Sequence, residues 1–452
     1  MVVSMNNFTV AFKHDKPLYL ELYYEIKNKI DQGIIKADEK LPSKRMLAKN
    51  LGVSTNTILT AYELLLDEGY IYSKEKKGYY VSKQTLLTKS EMKVTMVPRQ
   101  TKQYQYDLTT ANNNLLSASS NIFLKSIKET LHQNDFYIKT DLEGSIYLRK
   151  NIAKHLYENR GIKVNEQQIV IGTGLEMLEM IFPLLNKDSY ALENPGYHKL
   201  SYMLSNNHYK IEYVSLDKEG VLIPKHSDIL YTTSFNQFPT GVKMTIGRKK
   251  ELINWVKKNN GYIIEDDFDA DFRLSGTPTT SLYMLCPEHV IFFSTFSSTL
   301  CSGIRISFAI LPEQILSLYL ERYKYYTNPV SSLQQQIVNH FIESGAYARH
   351  LNRIKNQLNK KRAYIISALK NLTTVTIDTK KNFLSLMMNL KNEQLAKIVK
   401  DRLLEHNIKM NAISDYDVTK KPSKTLLIGY TNISFEKLIE AIQILKSIIE
   451  KA

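Results

Sequence analysis

Arg305 closes a stretch in which the apolar run Val290–Phe293 passes into a hydroxyl-rich loop, with Ser297, Ser298 and Thr299 at its centre. A second apolar run starts at Ile306. A strand, a small polar loop and then an arginine is how α/β proteins hold an anionic ligand at a strand end. Gly174, Leu175 and Glu176 follow the short apolar run 168–172 and lead into a helical pattern through Ile181 and Leu184. A strand–glycine–helix turn of this kind offers backbone N–H groups to a phosphate. Tyr262 to Asp269 reads as a strand ending in acids, Asp266 among them, and Glu193 to Tyr197 as a turn that aims an aromatic ring. Tyr231 to Gly241, containing Asn236, reads as a strand running into a Pro-Thr-Gly loop. Taken singly each is ordinary, because strand ends in α/β proteins are commonly polar.

A second group of residues suits nucleic acid. Ser43 stands where an N-cap belongs, with Lys44 and Arg45 beside it, and Ser54 can cap the following helix, whose first turn carries Thr55, Asn56 and Thr57. Helix-end amides with neighbouring cations suit a phosphate, and short polar side chains on a second helix can meet base edges in the major groove. Lys76, Lys77 and Gly78 fall at the tip of a hairpin, from which they reach a flanking backbone.

These residues need elements to position them. Apolar positions Leu22, Tyr23, Ile26 and Ile30 share one helical face, and Gly33 ends that helix. Met46, Leu47 and Leu51 form the buried face of the next, with Gly52 past its end. Ile58, Ala61, Tyr62 and Leu65 repeat at helical spacing before Gly69. Two short helices joined through Gly52, Val53 and Ser54, then a hairpin, make a winged helix-turn-helix over residues 1–83. Residues 84–106 lack sustained periodicity and read as a basic linker. From there apolar runs alternate with helical patterns, so the fold class is α/β, multi-domain: a large domain at 107–337 and a smaller one at 338–452.

At 452 residues, 43% hydrophobic and 23% charged, the chain has the makeup of a soluble globular protein with a large core. Cys286 and Cys301 form no disulfide framework and no metal-site spacing, which favours a reducing cytoplasm. No stretch approaches 18 apolar residues, so no membrane span is expected. The net charge of +15 favours an anionic partner, nucleic acid first.

Leu-Pro-Ser-Lys-Arg at 41–45 followed by Leu-Gly-Val-Ser-Thr-Asn-Thr at 51–57 resembles the GntR family of DNA-binding proteins over residues 17–82. The order of the later motifs (glycine turn, Glu-x-Pro-Gly-Tyr, Gln-Phe-Pro-Thr-Gly, Glu-Asp-Asp-Phe-Asp, then the 298–305 loop) resembles the fold-type-I aminotransferase-like domain of MocR regulators, over about 107–452. That resemblance implies a pyridoxal phosphate (PLP) pocket, with Asp266 on the pyridine nitrogen, Tyr197 stacked on the ring, and Arg305 with the Gly174, Leu175 and Glu176 amides on the phosphate. It also implies a dimer, with each DNA-binding domain reaching over its partner.

The departures concern the reactive positions. Where the family has its imine-forming lysine this chain has Ser298, and no lysine lies between Lys258 and Lys324. Phe268 stands for a tyrosine, Asn236 for a histidine, and the arginine expected near the start of Thr425–Tyr430 to grip a substrate carboxylate is absent. GntR proteins often have arginine where Thr55 stands. A serine hydroxyl forms no imine, so the usual transamination is excluded and no catalytic residue is assigned. The first expectation is a regulator that binds double-stranded operator DNA as a homodimer, its aminotransferase-like domain lacking covalent PLP and serving dimerisation and effector sensing. The second keeps PLP, or a relative of it, bound without a covalent bond. The third, an active PLP enzyme, is the weakest. For Arg305 and Tyr197 a plain structural alternative stays open: an ion pair with Asp266 or another acid, and an ordinary core ring.

Overall fold

The computed structural model describes residues 15–83, 104–109, 120–132, 139–269, 280–379 and 384–451, with the single positions 10, 12, 115 and 271. The chain divides into two units, Met1–Thr101 and Lys102–Ala452.

The first unit holds α1 (Leu18–Asp31), α2 (Lys44–Leu51), α3 (Thr55–Asp67), β1 (Ile71–Lys74) and β2 (Gly78–Val81). Its core holds Leu22, Tyr23, Ile26, Ile30, Leu47, Ile58, Ala61, Tyr62 and Leu65, which the helical spacing predicts, together with Ile35, Leu41, Ala48, Ile71 and Val81. Ser43 caps α2 by accepting from the Met46 amide at 3.3 Å, and Ser54 caps α3 by accepting from the Thr57 amide at 3.1 Å. Gly52 ends α2 in the left-handed region, at φ 66°. The strands pair antiparallel from Ile71 opposite Val81 to Lys74 opposite Gly78, which forms the wing. The expected face of α2 holds only in part: Met46 is 45% exposed and Leu51 is half-buried, and Leu47 with Ala48 makes the buried face. A helix of eight residues turns only two side chains fully inward, and Met46 lies a residue short of that face.

The second unit begins with β3 (Tyr106–Asp107), so its first strand takes one residue of the stretch read as linker; most of that stretch, 84–103, lies outside the described residues. Then come α4 (Ser120–His132), α5 (Ile146–Arg160), β4 (Ile169–Gly172), α6 (Leu178–Ile181), β5 (Ser189–Asn194) and α7 (Lys199–Asn206). These are followed by β6 (Lys210–Asp217), β7 (Gly220–Val221), β8 (Ile229–Thr232), α8 (Ile246–Lys258), β9 (Tyr262–Asp266) and α9 (Leu282–Leu285). The large part ends with β10 (Val290–Thr295), β11 (Ser307–Ile310), α10 (Glu313–Arg322) and α11 (Ser332–Glu343). The expected boundary at 337/338 falls inside α11, and the long α12 (Ala346–Leu369) follows it. After it are β12 (Val375–Ile377), β13 (Ser385–Leu390), α13 (Glu393–Glu405), β14 (Ile408–Lys409), β15 (Asn411–Ala412), β16 (Thr425–Gly429) and α14 (Phe435–Glu450).

Eight strands form the main sheet in the order β4-β11-β10-β9-β8-β5-β6-β7. The run from β10 through β6 is parallel, while β11 returns antiparallel between β10 and β4. Side chains alternate across it. Ile169, Ile171, Leu230, Ile263, Val290 and Phe292 join one core, whereas Val170, Ile229, Ile264, Ile291 and Phe293 join another. The strands therefore read as continuous apolar runs, because both faces are covered. A four-stranded antiparallel sheet, β12-β13-β16-β15, forms the smaller part, and β3 pairs with β14 beside it.

Candidate functional site

In the first unit the polar residues at the helix starts divide into two roles. Ser43 and Ser54 use their oxygens as caps, and the Ser54 hydroxyl also meets that of Thr57 at 2.9 Å. Thr55 and Asn56 are exposed at the first turn of α3, as a base-reading turn requires. Arg45, Lys76, Lys77 and Gly78 are exposed too. Lys44 is less free than expected, because its ammonium lies 5.7 Å from the centre of the Tyr79 ring on β2. The buried Tyr62 hydroxyl donates to the Pro42 carbonyl at 3.0 Å, which ties α3 to the entry of α2.

In the second unit the C-terminal ends of β4, β5, β8, β9 and β10 share one edge of the sheet. Because β11 runs the other way, Arg305, just before it, reaches the same edge. A cavity of about 350 Å³ opens there. It brings together Gly174, Leu175, Tyr197, Asp266, Phe268, Ser298 and Arg305, all expected site residues. Glu176, also expected, is not among its lining residues, and neither is Asn236. Asn236 is buried behind the wall and donates to Asp269 at 3.0 Å, a supporting position instead of a ligand-facing one.

At the floor, Asp266 ends β9 and accepts a short hydrogen bond from the Tyr231 hydroxyl. Its other oxygen, Oδ1, is buried without a partner among the described residues. Burial pushes its pKa up to about 7, against the Tyr231 bond, which pulls it down. Glu193, at the end of β5, is also buried and raised to about 7, although Thr232, Thr233 and Gln237 all donate to it. Nothing in the sequence pattern singled it out as more than a turn residue.

The hydroxyl-rich loop turns its protons inward. Thr295, Ser297 and Ser298 donate to the carbonyls of Ile306, Ile304 and Thr295 at 3.2, 2.5 and 3.0 Å. At the other end of the cavity Arg305 does pair with an acid, but the acid is Glu176 and not Asp266. Lys199, at the start of α7, meets the other oxygen of the same carboxylate at 2.6 Å. Gly174 permits this arrangement: at its φ of 59° an added Cβ would lie 2.1 Å from the Arg305 guanidinium. Tyr197 is 51% exposed at the rim, edge-on to Phe238, so it is no core ring. Lys199, Tyr231, Phe238 and Tyr416 also line it and were not assigned to the site from the sequence: Tyr231 and Phe238 sit in a segment read only as strand and loop, and the convergence of Lys199 and Tyr416 only the fold reveals. Among the described residues no three His, Cys, Asp or Glu side chains cluster as metal ligands, and no helix is long and apolar enough to cross a membrane.

Residues 18–81 match the family model for bacterial regulatory proteins of the gntR family, and residues 106–445 match the model for aminotransferase class I and II. Over 96% of both chains, the protein is 32% identical to the uncharacterized HTH-type transcriptional regulator YhdI of Bacillus subtilis (strain 168). It is 24% identical to the probable rhizopine catabolism regulatory protein MocR of Rhizobium meliloti, over 96% of this chain and 94% of that one. Among solved structures, an archaeal alanine:glyoxylate aminotransferase superposes with a TM-score of 0.68 at 20% identity, covering 76% of this chain and 91% of its own. At that identity the likeness concerns the fold.

Proposed function

Because this chain belongs to the MocR-type transcriptional regulators, which join a gntR-family DNA-binding segment to an aminotransferase class I and II domain, we propose that it regulates transcription in the cytoplasm without transaminating anything. It binds double-stranded operator DNA through Arg45, Thr55, Asn56, Lys76 and Lys77 as a homodimer with exchanged DNA-binding domains. Its second unit pairs the two copies and receives a small effector.

One observation carries the loss of covalent chemistry. Ser298 lines the pocket where an amine would be required, and its hydroxyl donates to its own loop at Thr295. A hydroxyl there forms no imine with an aldehyde. The fit of PLP to the remaining residues is uneven. Asp266 Oδ1 suits a pyridinium N–H, and this favours the second reading, in which the ring is held non-covalently. Phe268 supplies no hydroxyl, and Arg305 already holds the Glu176 carboxylate in place of a phosphate. The phosphate-bearing, imine-linked group therefore does not fit, and no reaction step is assigned to it.

The test is an absorbance scan of the full chain with added PLP, then borohydride and mass spectrometry. No long-wavelength band and no adduct at Lys199 or any other pocket lysine is expected. Ser298→Lys should give partial colour at best, since the hydroxyl that Phe268 lacks is worth about 1 kcal/mol. A stoichiometric, borohydride-fixed adduct in the wild type would overturn the reading.

A further inference from the structure

We infer that Glu176 is a built-in occupant of the pocket's cation pair, and that the pocket accordingly takes an unphosphorylated ligand bearing an N–H or protonated nitrogen. This deepens the reading of the second unit as the effector-binding part, and rests on it.

Among the described residues Arg305 and Lys199 are the cations lining the cavity, and they hold the two oxygens of one carboxylate. A phosphate ester carries about 1.5 to 2 negative charges at neutral pH, and to reach these cations it must either expel Glu176 or lie against it. Gly174 fixes the arrangement, since the guanidinium rests against its bare backbone. The loop gives a phosphate little help. Thr295, Ser297 and Ser298 spend their hydroxyl protons on main-chain carbonyls, and the Thr295 oxygen also accepts from the Ser297 amide at 3.1 Å, so the loop's hydroxyls are committed to the loop itself.

The opposite end has the complementary need. Asp266 is only 9% exposed, lines the cavity, and has one oxygen, Oδ1, without a donor among the described residues. A buried acceptor left unpaired is costly, so a ligand that brings an N–H there gains that hydrogen bond. Phe238, Phe268 and Tyr416 add ring surface to the lining, which suits a flat or cationic nitrogen compound.

Pyridoxamine and pyridoxamine 5′-phosphate are the probes: they differ by the phosphate alone, and neither carries an aldehyde to condense with a lysine. Titration calorimetry on the full chain should show the wild type binding pyridoxamine at least as tightly as its ester. Glu176→Gln should shift the ratio of the two affinities toward the ester by about tenfold or more, the scale of one charge-assisted contact. The Glu176 side chain is 44% exposed, so the change leaves the core alone, and Glu176→Ala repeats the test without an amide. A wild type that prefers the ester would overturn the inference. So would an unchanged ratio, or failure of both variants to bind the ester. Failure of the covalent reading is seen separately, in the borohydride experiment with PLP.

Discussion

The two regions of this chain that gather cations beside helix or strand ends dispose of that charge in opposite ways. In the N-terminal unit Arg45, Lys76 and Lys77 are exposed and enter no ion pair among the described residues. In the second unit Arg305 and Lys199 are both held by Glu176. An arginine at the expected position is therefore only half of an anion site. The other half is whether its charge is still uncommitted. By that measure the first unit is ready for a polyanion, whereas the pocket's two cations already share one internal carboxylate.

The largest effect expected from this contrast is on DNA. Arg45→Ala combined with Lys77→Ala should weaken binding to every sequence by about a hundredfold at moderate salt, and should flatten the slope of log K against log salt by about two units. A slope equal to the wild type's would remove these residues from the interface. A smaller effect concerns the pocket floor. Asp266 has its pKa raised to about 7 in the folded state, above the ordinary value of 3.8. Its contribution to stability is therefore complete below about pH 4 and lost as the pH rises through about 7. Asp269, raised to about 8 by burial, follows the same sign. Asp266→Asn should thus flatten the fall in melting temperature between pH 5 and pH 8 by about 2–4 °C; identical profiles would mean that this carboxyl is not buried as described. The smallest effect sharpens the contrast most. Arg305→Ala should cost about 0–1 kcal/mol of stability, as half-exposed ion pairs do, and leave DNA affinity unchanged. A clear loss of DNA binding would show that the pocket's charge is not private to the pocket.

What could be read in advance follows from how local each signal is. The caps at Ser43 and Ser54 and the apolar spacing of α1 and α3 are written within a few residues, and they came out as read. The same holds for the strand ends that deliver Asp266, Ser298 and Arg305 to one edge. Met46 misled because a two-turn helix leaves the inward face ambiguous by one position. The Glu176 clamp was invisible for a different reason: its partners lie 23 and 129 residues away, and nothing in the chain's local chemistry pairs them. Asn236 was placed one layer too far forward, since a motif gives an order along the chain but not a depth.

The return of β11 alongside β10 carries one more implication. The segment between them is held by the Phe296 amide on the Ile306 carbonyl at 2.9 Å and by the buried Phe296, Leu300 and Ile306. None of this depends on which side chain stands at position 298. Descent can therefore exchange that residue, gaining or discarding a reactive group, while the architecture is inherited intact. In this fold the capacity for chemistry and the capacity to fold are separately mutable traits.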